Sequence, residues 1–129
     1  MTGIPQGAAE LAAFVSRVRK ATGAKKVDLV GHSQGGTVIA YYLKFRGGAR
    51  HTTNAVSLAG PVYPPQADST VRLFSDLSLA FTTFQMGLLQ QGNSPSTPRA
   101  VFTDLNRGGI AVRGPKYTTI TTRYDEIAF

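Results

Sequence analysis

The segment with the residue types and spacing for chemistry is Gly31-His32-Ser33-Gln34-Gly35. It fits the pattern G-x-S-x-G, in which a serine sits on a sharp turn between a strand and a helix. Val27 to Val30 read as a strand running into the turn, and a helical pattern leaves directly after it. So sharp a turn forces the central residue into strained backbone geometry. Small residues at Gly31, Gly35 and Gly36 let strand and helix approach each other. Ser33 then projects its hydroxyl at the carboxyl edge of the sheet. The amide of Gln34, at the helix start, points toward an oxyanion developing on an attacked carbonyl. The same five residues could also form an ordinary glycine-rich turn with a surface serine. The strand before and the helix after weigh against that reading.

A serine hydroxyl is a poor nucleophile unless a base takes its proton and a carboxylate orients that base. On a strand–elbow–helix scaffold the chain order is Ser, then Asp or Glu, then His. Asp125 follows a predicted strand at 116–122 and is the candidate acid, although a turn aspartate at a strand end would look the same. Its neighbour Glu126 is the weaker choice. Asp68, Asp76 and Asp104 read as surface or capping residues. A base is missing. His32 adjoins Ser33, so its side chain diverges from the hydroxyl and reads as packing in the elbow. His51 lies beyond the helix that leaves the elbow, about 17 Å away for about 11 residues. That puts it at the opposite sheet edge, as a surface residue.

The elements that must hold these residues alternate along the chain. Residues 8–21 carry an apolar stripe of Leu11, Phe14, Val15 and Val18 at helical spacing, stopped by Gly23. The run 26–31 is short and apolar, which suits a strand buried on both faces of a parallel sheet. A second helix over 34–46 ends at Gly47-Gly48, and 54–59 is a second strand. Helix, strand, helix, strand is the rhythm of an α/β fold. Three prolines make 60–70 a loop. Residues 71–90 then place Phe74, Leu77, Phe81, Phe84 and Leu88 on one helical face. A polar turn at 91–98 and a short helix at 99–107 precede the third strand.

Composition narrows the alternatives. With 42% hydrophobic residues, the 129-residue chain is globular, and its length allows one domain over 1–129. No apolar run approaches the roughly 20 residues of a spanning helix, and no signal peptide is visible. The absence of cysteine excludes disulfides and thiol catalysis, and two histidines leave little for a metal site. No cofactor is expected. The net charge of +7 invites a nucleic-acid reading. The basic groups, Arg17 to Lys26 and Lys44 to Arg50, fall at predicted helix ends, where cations complement the helix dipole. Solvated helix ends are therefore preferred to a nucleic-acid partner.

The stretches VDLVGHSQGG and YYLKFRGGA, with the closing YTTITTRYDEIAF, resemble bacterial secreted lipases of the α/β-hydrolase superfamily. The similarity is closest to the actinobacterial triacylglycerol lipases of the class 2 type. The resemblance implies a partial α/β-hydrolase fold, three-layered, with a short mostly parallel sheet flanked by helices. It makes Ser33 the nucleophile, Gln34 the donor of one oxyanion amide and Asp125 the triad acid. It implies a secreted ester hydrolase acting on triacylglycerol or another acyl ester. It also places the triad histidine and the second oxyanion donor outside these residues, so the chain is expected to be a fragment of a domain of about 200 residues or more. The stripe Phe74–Leu88, within 61–98, falls where lipases insert a cap or lid, which would give contact with a lipid interface. A helix buried on the sheet fits that stripe equally well. The alternative to an enzyme is a non-catalytic remnant of the fold that binds lipid or a protein partner.

Overall fold

The computed structural model describes residues 3–60 and 98–122. Among them are three helices, α1 (Ile4–Thr22), α2 (Gln34–Phe45) and α3 (Pro98–Asn106), and three strands, β1 (Val27–His32), β2 (Thr52–Leu58) and β3 (Lys116–Ile120). A short 3-10 turn, Gly48–His51, leads into β2. Segment 61–97, which holds most of the expected cap or lid insertion at 61–98, and residues 123–129 lie outside the described residues.

Helix α1 begins earlier than its apolar stripe predicts because Pro5 occupies the first turn, where its fixed φ suits a helix and its missing N–H costs nothing. It ends at Gly23, whose left-handed φ of 74° lets its amide close on the Arg19 carbonyl at 2.9 Å. Ile4, Ala8 and Val15 are the buried positions. The buried face is thus rotated from the predicted one, and Phe14 is 54% exposed, with the Arg17 guanidinium 5.6 Å from its ring centre.

The sheet is parallel throughout, in the order β1-β2-β3. Val30 pairs with Val56, and Val56 with Thr118. Near the start of β1 the register slips between Val27 and Leu29. There the Asp28 carboxylate accepts the Asn54 backbone and side-chain amides at 3.0 and 2.9 Å. A side chain thus takes the place of a ladder carbonyl.

Helices α1 and α2 enclose one face of the sheet. Ala8 and Val15 meet Ile39, Tyr42 and Leu43, with Ala55 beneath them and Leu29 alongside. On the alternate face Val30 is 67% and Ile120 55% exposed. The expectation that β1 is buried on both faces does not hold for Val30, because the described helices all pack on the other side. Helix α3 joins α1 and α2 through Val101, Phe102 and Leu105 packed with Ile4. Its C-terminal end is held by one side chain. The Lys44 ammonium donates to the carbonyls of Leu105, Arg107 and Gly109, each at 2.7 Å. The sequence places Lys44 among solvated helix-end cations. The fold instead uses it to satisfy carbonyls that a helix terminus leaves without partners.

Candidate active site

Ser33 is the single residue between β1 and α2, with φ 52° and ψ −127°. That φ disfavours any residue with a Cβ, and such strain persists only where the surroundings enforce it. Three contacts enforce it here. The Ser33 amide donates to the Leu58 carbonyl at 2.8 Å, extending the β1–β2 ladder by one bond. The Ser33 carbonyl accepts the Gly36 amide at 3.0 Å, closing the first turn of α2. Gly31 packs against the far limb of the turn, where a Cβ would lie 2.5 Å from the Gly35 carbonyl carbon.

The glycines have unequal roles. Gly31 is buried and needs to lack a side chain. Gly36 is buried too, and a Cβ there would run into Ser57. Gly35, expected to be small for the same reason, faces open space among the described residues. Its contribution is the backbone on which Gly31 rests.

The Ser33 side chain is exposed and makes no capping hydrogen bond to α2. A serine at the start of a helix ordinarily turns its oxygen onto the helix amides. Here Ser33 stands at the carboxyl edge of the sheet with that bond unmade, and Gln34 opens α2 directly after it. The first amides of a helix have no acceptor within it, and the helix dipole adds to their pull on an anion.

His32 ends β1 and is exposed. It does not pack in the elbow as expected; strand alternation sends it to the face opposite Gly31, away from α2. His51 closes the 3-10 turn before β2, at the amino edge of the parallel sheet. This agrees with its expected distance from Ser33. Burial, with Arg19 and Arg50 nearby, lowers its pKa below 6.5. Asp104 pairs with Arg107 at 3.3 Å on the surface of α3, as expected of a solvated residue. Asp125, Glu126, Asp68 and Asp76 lie outside the described residues. No group of three or more His, Asp or Glu side chains able to hold a metal ion occurs among the described residues. None of the described helices is long and apolar enough to cross a membrane.

Ala59 was not singled out from the sequence. It follows β2 as Ser33 follows β1, with φ 48°, and its amide donates to the Ile120 carbonyl at 2.9 Å. Its sequence signal is faint, a small residue before Gly60.

A family profile described as the alpha/beta hydrolase fold matches residues 4–99. The chain belongs to this family. The α/β hydrolase fold also emerges from solved structures. The lipase BlEst2 of Bacillus licheniformis in its mature form aligns with a TM-score of 0.61 and 18% identity, over 92% of this chain and 47% of that one. The propeptide form of the same lipase aligns with the same TM-score and identity, and 26% of it is covered. The chain therefore spans about half the length of the mature lipase it matches. At that identity the likeness concerns the fold. Within the α/β hydrolase fold seen here, the parallel strands bring two strained exits, Ser33 and Ala59, to one edge.

Proposed function

We propose that this chain carries the nucleophile of a serine ester hydrolase of lipase or esterase type. One observation supports this above all. Ser33 is held at φ 52° with its hydroxyl exposed and unused by the helix it precedes. Strain of that kind on a polar, exposed residue is hard to account for as packing.

In this reading Ser33 Oγ attacks the ester carbonyl, and the Gln34 amide holds the resulting oxyanion. Collapse expels the alcohol and leaves an acyl-enzyme, which water cleaves to free the acid. Asp125 is the carboxylate that orients the base. Neither His32 nor His51 is placed to take the Ser33 proton. The fast, base-assisted reaction therefore needs a histidine beyond these 129 residues. The substrate is triacylglycerol or a smaller acyl ester, no cofactor takes part, and the stripe Phe74–Leu88 is the surface that meets lipid. Export from the cell accompanies this reading.

The test combines labelling with turnover. With imidazole supplied as an outside base, a fluorophosphonate should label the chain at Ser33 and nowhere else, and Ser33→Ala should abolish the label. Hydrolysis of p-nitrophenyl esters by the chain alone should stay near the uncatalysed rate. Rapid turnover lost in Ser33→Ala would overturn the missing base. Failure of any label at Ser33 even with imidazole present would favour a non-catalytic module binding lipid or a protein.

A further inference from the structure

The strained elbow is braced from the neighbouring strand by one side-chain oxygen. Ser57 lies in β2 opposite Gly31, on the face toward α2. A Cβ on Gly36, in the first turn of α2, would collide with Ser57 Oγ. A Cβ on Gly60, just past β2, would collide with the same oxygen. Either Cβ would also come within 3.2 Å of the other glycine's Cα, and the one on Gly60 would sit 3.3 Å from the Ser33 carbonyl oxygen. Three positions thus border one gap with room for a single side-chain atom, and Ser57 Oγ fills it.

That gap lies between the two strained residues. Ser33 and Ala59, with φ of 52° and 48°, are the only described non-glycine residues at positive φ. Each hands its amide to the next strand, Ser33 to Leu58 and Ala59 to Ile120. Backbone of this kind is strained and relaxes when its surroundings give way.

We propose that Ser57 is a positioning residue for Ser33, its hydroxyl wedging the first turn of α2 against the β2 exit so that the elbow cannot relax. This rests on Ser33 being the nucleophile. Ser57 touches no reacting atom. It acts by fixing where the Ser33 hydroxyl and the Gln34 amide stand.

Filling the same gap from the other side is the test. Ser57→Ala empties it. Gly36→Ala overfills it while Ser57 Oγ is present. The double variant Ser57→Ala/Gly36→Ala puts one methyl group into the space that the oxygen leaves. Amide hydrogen exchange of Ser33 and Ala59, read against Val15 in α1, reports the elbow whether or not the chain hydrolyses esters. Each single variant should speed exchange at Ser33 and Ala59 by about tenfold over Val15, with the double near wild type. Imidazole-assisted fluorophosphonate labelling of Ser33 should slow in both singles and recover in the double. Unchanged Ser33 exchange in Ser57→Ala, or a uniform rise at all three amides, would overturn the proposal, as would a double variant worse than either single. Selective, rescued exchange in a chain whose Ser33 takes no label even with imidazole present would uphold the brace and overturn the nucleophile reading alone.

Discussion

The Ser33 amide reaches the Leu58 carbonyl at 2.8 Å, so the first residue beyond β1 is tied to the last residue of β2. Ser33 is therefore still part of the sheet when the chain has already turned into α2. The hydrogen bond sets the height of the serine, and its left-handed φ sets the direction of its side chain. A serine one residue later would sit inside the first turn of α2.

Strain at Ser33 predicts an inversion of the usual glycine penalty. Ser33→Ala and Ser33→Gly both remove the hydroxyl, but only glycine adopts this backbone freely. Ser33→Gly should be the more stable by about 1 kcal/mol in guanidinium unfolding. An alanine variant as stable as the glycine variant would show that the elbow is unstrained.

The two glycines that flank Ser33 should respond oppositely to a methyl group. Gly31→Ala forces a Cβ onto the Gly35 backbone, which should cost about 1–3 kcal/mol. Gly35→Ala enters open space in a helix and should be neutral or stabilising, by up to about 1 kcal/mol. Thermal unfolding of both variants checks the order, and equal losses would contradict it.

Lys44→Met keeps the aliphatic stem and removes three charge-assisted donors from the end of α3. The expected loss is about 1–3 kcal/mol. Faster exchange of the α3 amides, with those of α1 little changed, would locate it. Unaltered α3 exchange would mean that water replaces the ammonium without cost.

His51 makes stability depend on pH. Burial first, then Arg19 and Arg50, hold its folded pKa below the ordinary 6.5. The unfolded chain then binds a proton more readily than the folded one, so stability rises with pH in this window. The contribution is present above pH 6.5 and is lost as the pH falls through the lowered folded value. Between pH 7 and 5 the wild type should lose more thermal stability than His51→Gln. Arg50→Ala should move the His51 titration upward by NMR. A His51→Gln variant with the wild-type pH slope would contradict the assignment.

Much of the elbow was legible because its causes are local. Gly31, Ser33 and Gly36 are neighbours in the chain, and a strand–turn–helix needs small residues at such points. The α/β alternation was legible from periodicity. The brace at Ser57 was not, since Gly36 and Gly60 meet across a crossover between strands. Phe14 shows the limit of periodicity. It fits a helical stripe, yet the buried face of α1 is chosen by where α2 lies.

By itself the sequence determined that a serine would stand at a sharp strand-to-helix turn, that the sheet would be parallel, and that His51 would lie at the sheet edge away from it. These follow from residue size, periodicity and chain order. Tertiary structure decided that Ser33 is strained with its hydroxyl free, that Lys44 caps a distant helix, that Val30 faces outward and that Ser57 and two glycines share one gap. Each depends on which segments pack together, and packing is settled by volumes and hydrogen bonds between residues far apart in the chain.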